Sequence, residues 1–291
     1  MTAVRQSPCK INLLLNILGK REDGFHELET VLQSVPLCDR LEFFESGKDI
    51  LIDSDHPDLK SDDSNLIFRA SECFRDAADI RSGIRIKHEK HIPISAGLGG
   101  GSSNAAQTLL GLNELFGQPL DAARLTELAA SLGSDVNFFL QEGPALAVGR
   151  GERITPLKPF PALSGKGLLL IHPGFGVSTS WAYRNLSRYP DALNGRPGRA
   201  VSLIKRLESN DIGNATDAFY NSLEAPVLPR HPLLSIYQNF LRENGALVTM
   251  MSGSGSTTFA ITANQDSAAE TERRFRSRFG ASAWTYTTCF A

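Results

Sequence analysis

The chain has 291 residues, 41% hydrophobic and 21% charged, and its 30 Lys and Arg against 32 Asp and Glu give a formal net charge of −2. That is globular composition with enough length for one large or two moderate domains. The charge balance excludes a broad nucleic-acid-binding surface, though a small anion can still be held by local positive potential. The cysteines Cys9, Cys38, Cys73 and Cys289 form no C-x-x-C pair and read as reduced thiols, neither zinc ligands nor a disulfide framework. "INLLLNILG" is broken by Asn12 and Asn16 and runs into "KREDG", so it is not a signal peptide. No run has the length of a membrane span, and the chain reads as cytoplasmic.

In chain order, residues 10–46 read as strands joined at the "EDGF" turn, with Ile11, Leu13 and Leu15 alternating. "SNLIFRASECFRDAA" predicts a helix capped by Ser64, and "GIRIKHEKHIP" a strand. "SNAAQTLLGLNELFG" puts Ala105, Leu109, Leu112 and Phe116 on one helical stripe ended by Gly117; a second helix runs from an Asp121 cap to Gly133. "ALAVGRGERITPL" reads as a hairpin. The Pro- and Gly-rich "KPFPALSGKG" marks a domain boundary near residue 160. Beyond it come a strand, "GLLLIHPG", helices from about Trp181 to Gly245, a second glycine-serine loop, "MMSGSGSTTFA", a helix and a last strand. Strands mixed with helices without a strict βαβ rhythm predict α+β architecture.

The unusual stretch is "PISAGLGGGSSNAA", residues 93–106, which places four glycines in five residues between a strand and a helix. Ordering glycine costs backbone entropy, so the run implies left-handed angles or the close approach of another object. A helix N-terminus with unpaired N–H groups suits a phosphate; a flexible surface turn is the alternative. No lysine follows the glycines, which excludes a Walker A loop, and Ser102 replaces the third glycine of a dinucleotide fingerprint.

Pro93 followed by "GLGGGSSNAA" resembles the phosphate-binding motif of the GHMP kinase superfamily, small-molecule kinases without a P-loop. "PCKINLLLNILGKREDGFHELET" (residues 8–30), "LGSDVNFFL" (132–140) and "MSGSGSTTFA" (251–260) resemble its other motifs. Within the superfamily the opening is similar to the "PAKINLxLxVxGxRxDGYHxLxT" of the members that phosphorylate cytidine diphosphate methylerythritol. This chain departs from the pattern at Cys9, Phe25, Asn137 and Ser222. Phe25 keeps an aromatic face but loses the hydroxyl of the tyrosine usual there.

The resemblance implies the two-domain GHMP kinase fold: a ribosomal-protein-S5-like α/β domain over residues 1–160 and a ferredoxin-like α+β domain over 161–291. It implies ATP-dependent phosphorylation of the substrate's 2-hydroxyl, on the non-mevalonate route to isoprenoid precursors. Asp135 is then the general base and Lys10 its cationic neighbour. ATP falls to Pro93, Ile94, Ser95, Ala96, Gly97, Leu98, Gly99, Gly100, Gly101, Ser102, Ser103 and Asn104, with Asn65 and Lys90 near the adenosine. Asn12 hydrogen-bonds the substrate from the same strand face as Lys10. Phe25 and Tyr183 sandwich the cytosine, His26 hydrogen-bonds it, and Thr179 lies near the substrate. No cluster of carboxylates suggests a resident metal, so Mg²⁺ arrives with ATP and meets Ser102 or Ser103. The partners are two small molecules, not nucleic acid or a membrane, and the chain is expected to be a monomer or weak homodimer.

Bland readings stand beside these: Asp135 as a turn residue after Gly133, Lys10 as an edge cation, Phe25 and Tyr183 as core, "SGSGS" as a tight turn. Two other functions remain open at this point, a kinase for another small alcohol such as homoserine or mevalonate, and a nucleotide-binding module without catalysis.

Overall fold

The computed structural model describes residues 2–290. Its first sheet is built on two long antiparallel strands, β1 (Thr2–Lys20) and β2 (His26–Glu45), joined at the expected turn. The register slips at Pro8/Cys9, Asn12/Leu14 and Ile17/Gly19, and such bulges bend a strand and re-aim its side chains. Next come β3 (Ile50–Ser54), α1 (Leu66–Ala77), β4 (Ile84–Glu89), α2 (Gly100–Leu115) and α3 (Ala122–Leu132). β5 (Ala145–Gly149) and β6 (Arg153–Pro156) form the predicted hairpin. β2 pairs through one end with β4 and through the other with β5, and β3 adds to β4 in parallel.

β7 (Gly167–His172) begins a second, wholly antiparallel sheet. The helical stretch that follows is divided into α4 (Thr179–Asn185), α5 (Pro190–Leu193), α6 (Arg199–Leu207), α7 (Glu224–Arg230) and α8 (Pro232–Glu243), with Pro190 and Pro232 opening α5 and α8 and Pro229 inside α7. Between α6 and α7 a two-residue strand, β8 (Tyr220–Asn221), returns to the first sheet beside β1. β9 (Val248–Met251), β10 (Thr258–Thr262), α9 (Gln265–Phe279) and β11 (Trp284–Cys289) complete the second sheet, in the order β11-β7-β10-β9. The fold is α+β.

One apolar core joins the two halves: Ile11, Leu13 and Val35 pack in the same cluster as Leu168, Leu170 and Phe259. A second core lies beneath α1, α2 and α3, where α2 is so close to β2 that a Cβ on Gly111 would stand 2.3 Å from the Phe43 ring. Two local expectations change. The cap of α1 is Asn65, whose side chain accepts from Ile67 N, and not Ser64. Helix α2 begins at Gly100, so two of the loop's glycines are already its first turn. Among the described residues no helix is long and apolar enough to cross a membrane.

Candidate active site

The glycine loop alternates its backbone hand: Ser95, Gly97 and Gly99 take φ of +55°, +80° and +71°. That alternation turns amide N–H groups toward a common concavity, the arrangement that binds anions, and it opens onto the N-terminus of α2. Gly97 has no room for a side chain, since a Cβ would meet Ser252 O at 2.2 Å, and Ser252 Oγ donates to Gly97 O at 3.0 Å. The two glycine-serine loops therefore lock together. Gly101 differs, being exposed and helical with only Leu66 Cδ1 near at 3.6 Å, so the protein itself leaves room for a Cβ there.

Beneath the loop, Lys10 and Asn12 share one face of β1 and are both nearly buried. Lys10 Nζ donates to Asn12 Oδ1 at 2.6 Å, and Asn12 Nδ2 donates to Thr30 Oγ1 at 2.9 Å. The ammonium lies 3.5 Å from Asp135 Oδ2. Asp135 follows the end of α3 and precedes the buried turn at Asn137–Leu140, whose Phe139 touches the loop at Gly99. Residues that lie 125 positions apart in sequence thus meet beneath the glycine loop.

A second buried network supports the loop from behind. Asp39 Oδ1 accepts from His91 N at 2.7 Å and Ile92 N at 2.8 Å, and its other oxygen takes the Lys90 ammonium. Burial alone raises the Asp39 carboxyl, but the His88 side chain, the Lys90 ammonium and the Ile92 amide outweigh it and hold it at about 2. Burial in turn pushes Lys90 below the usual lysine range.

The loop, the Lys10–Asp135 pair and a set of aromatic residues line one cavity of about 1200 Å³. That exceeds the usual 300–1,000 Å³ of a single-ligand pocket. Every sequence-predicted site residue borders it except Ser103. Ser103 is fully buried, its hydroxyl accepts from Ser7 Oγ at 2.8 Å, and its amide is used inside the helix. The expected phosphate or Mg²⁺ contact through the Ser103 hydroxyl is therefore overturned, whereas Ser102, the alternative, is half-buried and borders the cavity. Asn104 borders the cavity with its amide engaged by Ser7 and His88. Asn65 spends its side chain on Ile67 N and Lys60 O.

At the far end the ring of His26 sits 5.0 Å from that of Tyr183, and the Phe25 ring, 52% exposed, carries the Arg150 guanidinium at 4.7 Å. Burial and the neighbouring Lys20 ammonium push His26 below its ordinary value. Burial and the Asp135 carboxylate push the Tyr183 phenol up, which keeps its hydroxyl a donor. Thr179 Oγ1 lies 2.8 Å from Ser254 Oγ, tying α4 to the second loop. Sequence reasoning missed Thr30, Asp39, Lys20, Arg150 and Arg184. Only Arg150, set between the two glycines of "GRG", carried a signal that could have been read.

Residues 65–144 match the family of the GHMP kinases N terminal domain, and residues 200–281 the GHMP kinases C terminal family. With both family matches on this two-part fold, the chain is an ATP-dependent small-molecule kinase of the GHMP type. The chain is 42% identical to the 4-diphosphocytidyl-2-C-methyl-D-erythritol kinase of Pelotomaculum thermopropionicum, over 92% of this chain and 91% of that one. A crystal structure of 4-(cytidine 5'-diphospho)-2C-methyl-D-erythritol kinase superposes with a TM-score of 0.81 at 34% identity, covering 99% and 100% of the two chains. The chain belongs to the 4-diphosphocytidyl-2-C-methyl-D-erythritol kinase family. The homoserine kinase of Cytophaga hutchinsonii, with a TM-score of 0.77 at 20% identity over 99% and 94% of the chains, shares the fold alone.

Proposed function

We propose that the chain transfers the γ-phosphoryl group of ATP to the 2-hydroxyl of 4-diphosphocytidyl-2-C-methyl-D-erythritol, on the non-mevalonate route to isoprenoid precursors. The observation that carries this reading is the 3.5 Å approach of Lys10 Nζ to Asp135 Oδ2, in the lining of the one cavity that the glycine loop and the aromatic residues also border. Phosphoryl transfer asks mainly for positioning and charge stabilisation. The amides of residues 95–102 hold the ATP phosphates. Asp135 accepts the proton of the 2-hydroxyl as that oxygen bonds to the γ-phosphorus and the bond to the bridging oxygen of the β-phosphate breaks, leaving ADP. Lys10, fixed by Asn12, faces the oxygens of the migrating group and offsets their charge.

Among the described residues no three His, Cys, Asp or Glu side chains converge to hold a metal ion. The site fits Mg²⁺ carried by the ATP phosphates, with Ser102 as its protein ligand; when bound, the ion neutralises charge on those phosphates. Phe25 and Tyr183 form the walls for the cytosine, His26 presents one donor and one acceptor to its edge, and Thr179 meets the substrate from α4.

A coupled assay with ATP and the cytidine substrate, homoserine or mevalonate tests the reading. Turnover is expected with the cytidine substrate alone. Asp135→Asn should lower kcat about 10²- to 10⁴-fold, the usual worth of a general base, with little change in the KM for ATP. Turnover of homoserine or mevalonate would overturn the acceptor, and a variant within tenfold of the parent would overturn the base.

A further inference from the structure

Three cations at the aromatic end take no part in the chemistry above. Lys20 closes β1, Arg150 sits in the turn between β5 and β6, and Arg184 projects from α4, and all three line the cavity. Among the described residues none of them has a carboxylate within 4 Å, and none donates a side-chain hydrogen bond to the protein. The chain treats neighbouring cations differently: Arg21 is bonded to Asp23 and Glu27, and Arg153 reaches Glu27 at 3.4 Å. Carboxylates are available at this rim and are spent on Arg21 and Arg153.

Arg150 is the best fixed of the three. Its backbone lies between Gly149 and Gly151, at φ of +79° and +102°, and its amide donates to Glu152 Oε2 at 2.6 Å. Its guanidinium lies over the Phe25 ring, which holds the planar face and leaves the N–H edge free to donate. A guanidinium edge matches the paired oxygens of a phosphate. The ATP phosphates are already assigned to the glycine loop and the α2 N-terminus, which border the same cavity. A single anionic ligand does not account for two cationic ends.

We propose that Arg150, with Lys20 and Arg184 lining the same cavity, receives the diphosphate of the phosphoryl acceptor and is a specificity-determining residue. It favours an acceptor that carries a nucleoside diphosphate over a bare alcohol. This rests on the acceptor assigned under Proposed function.

The test is calorimetric binding of CDP, CMP and cytidine to the full chain, as parent, Arg150→Ala and Arg150→Lys, with thermal melts to verify folding. Loss of charge-assisted hydrogen bonds predicts that Arg150→Ala weakens CDP about 10- to 100-fold and cytidine less than about twofold. Arg150→Lys, which keeps charge without the fork, should fall between. In turnover, the KM for the cytidine substrate should rise in Arg150→Ala while kcat and the KM for ATP hold. Unchanged CDP affinity in Arg150→Ala would overturn the proposal. So would equal weakening of CDP and cytidine, because Arg150 would then act through the Phe25 ring. A parent chain that binds neither CDP nor cytidine would overturn the acceptor itself, and the proposal with it.

Discussion

Replacing Gly99 with alanine should damage catalysis more than stability, because one methyl group would press on the stem of Lys10. Gly99 is the left-handed cap of α2, at φ +71°. An added Cβ would stand 3.0 Å from Phe139 Cζ and 3.1 Å from both Cγ and Cε of Lys10, inside the ordinary 3.4–4 Å of packed atoms. The left-handed angles alone cost a non-glycine residue about 1–2 kcal/mol. At about 2–4 °C per kcal/mol, that is a Tm lowered by roughly 2–8 °C. The contacts are relieved most cheaply by moving Lys10, whose ammonium is placed by a 2.6 Å bond to Asn12 and lies 3.5 Å from Asp135. A displacement of several tenths of an ångström at a reacting centre, where about 1 Å costs on the order of 10²-fold, predicts a kcat loss of about 10- to 100-fold. Gly101→Ala is the control: its Cβ meets only Leu66 at 3.6 Å, so folding should gain about 0.5–1 kcal/mol while the KM for ATP rises. Melting curves and steady-state kinetics on both variants decide the matter. A Gly99→Ala enzyme with lowered Tm and parental kcat would refute the placement of Lys10 in the chemistry.

Three other outcomes follow from the packing and the charges. Gly111→Ala, which raises intrinsic helix propensity, should instead destabilise by about 1–3 kcal/mol in urea unfolding, because the methyl would meet the buried Phe43 ring at 2.3 Å; a gain in stability would mean that α2 sits further from β2. The Asp39 carboxyl lies at about 2 in the fold against an ordinary 3.8, so its contribution of about 2 kcal/mol is present above about pH 4 and lost as pH falls through about 2. Asp39→Asn should therefore flatten stability between pH 4 and 2, and at pH 7 cost about 3–5 kcal/mol by leaving the Lys90 ammonium buried without its partner; an unchanged acid limb in urea titrations would argue against it. His26 is pushed down by burial and Lys20, so it is neutral at pH 7, and the KM for the cytidine substrate should stay level through pH 7 and rise only below the ordinary histidine range of 6.5. A KM that instead rises between pH 8 and 7 would remove His26 from substrate recognition.

The elements with strong local signals were legible in the sequence: the strands around the "EDGF" turn, the helix α1, the stripes of α2 and α3, the β5–β6 hairpin and the left-handed backbone of the glycine run. Each rests on periodicity, a cap or glycine chemistry that acts within a few residues. The two-residue β8 carries no such signal, since only pairing with β1 makes Tyr220 and Asn221 a strand. Likewise, the stretch from about Trp181 to Gly245 read as helices without showing how many pieces it forms. In the site, composition and resemblance named Lys10 and Asp135, but a distance between residues 125 positions apart is a property of the packed chain. Ser103 shows the limit most clearly. Beside Ser102 in the sequence the two hydroxyls are equivalent, yet a 100° step around α2 sends one to the cavity edge and the other to Ser7 in the interior. The glycines of "GRG" single out Arg150 in the sequence, but only the fold lays its guanidinium on Phe25 in the cavity lining. Local physics in the sequence determined the elements and the phosphate loop; the helix register and the strand pairing, set by burial over the whole chain, decided which side chains meet there.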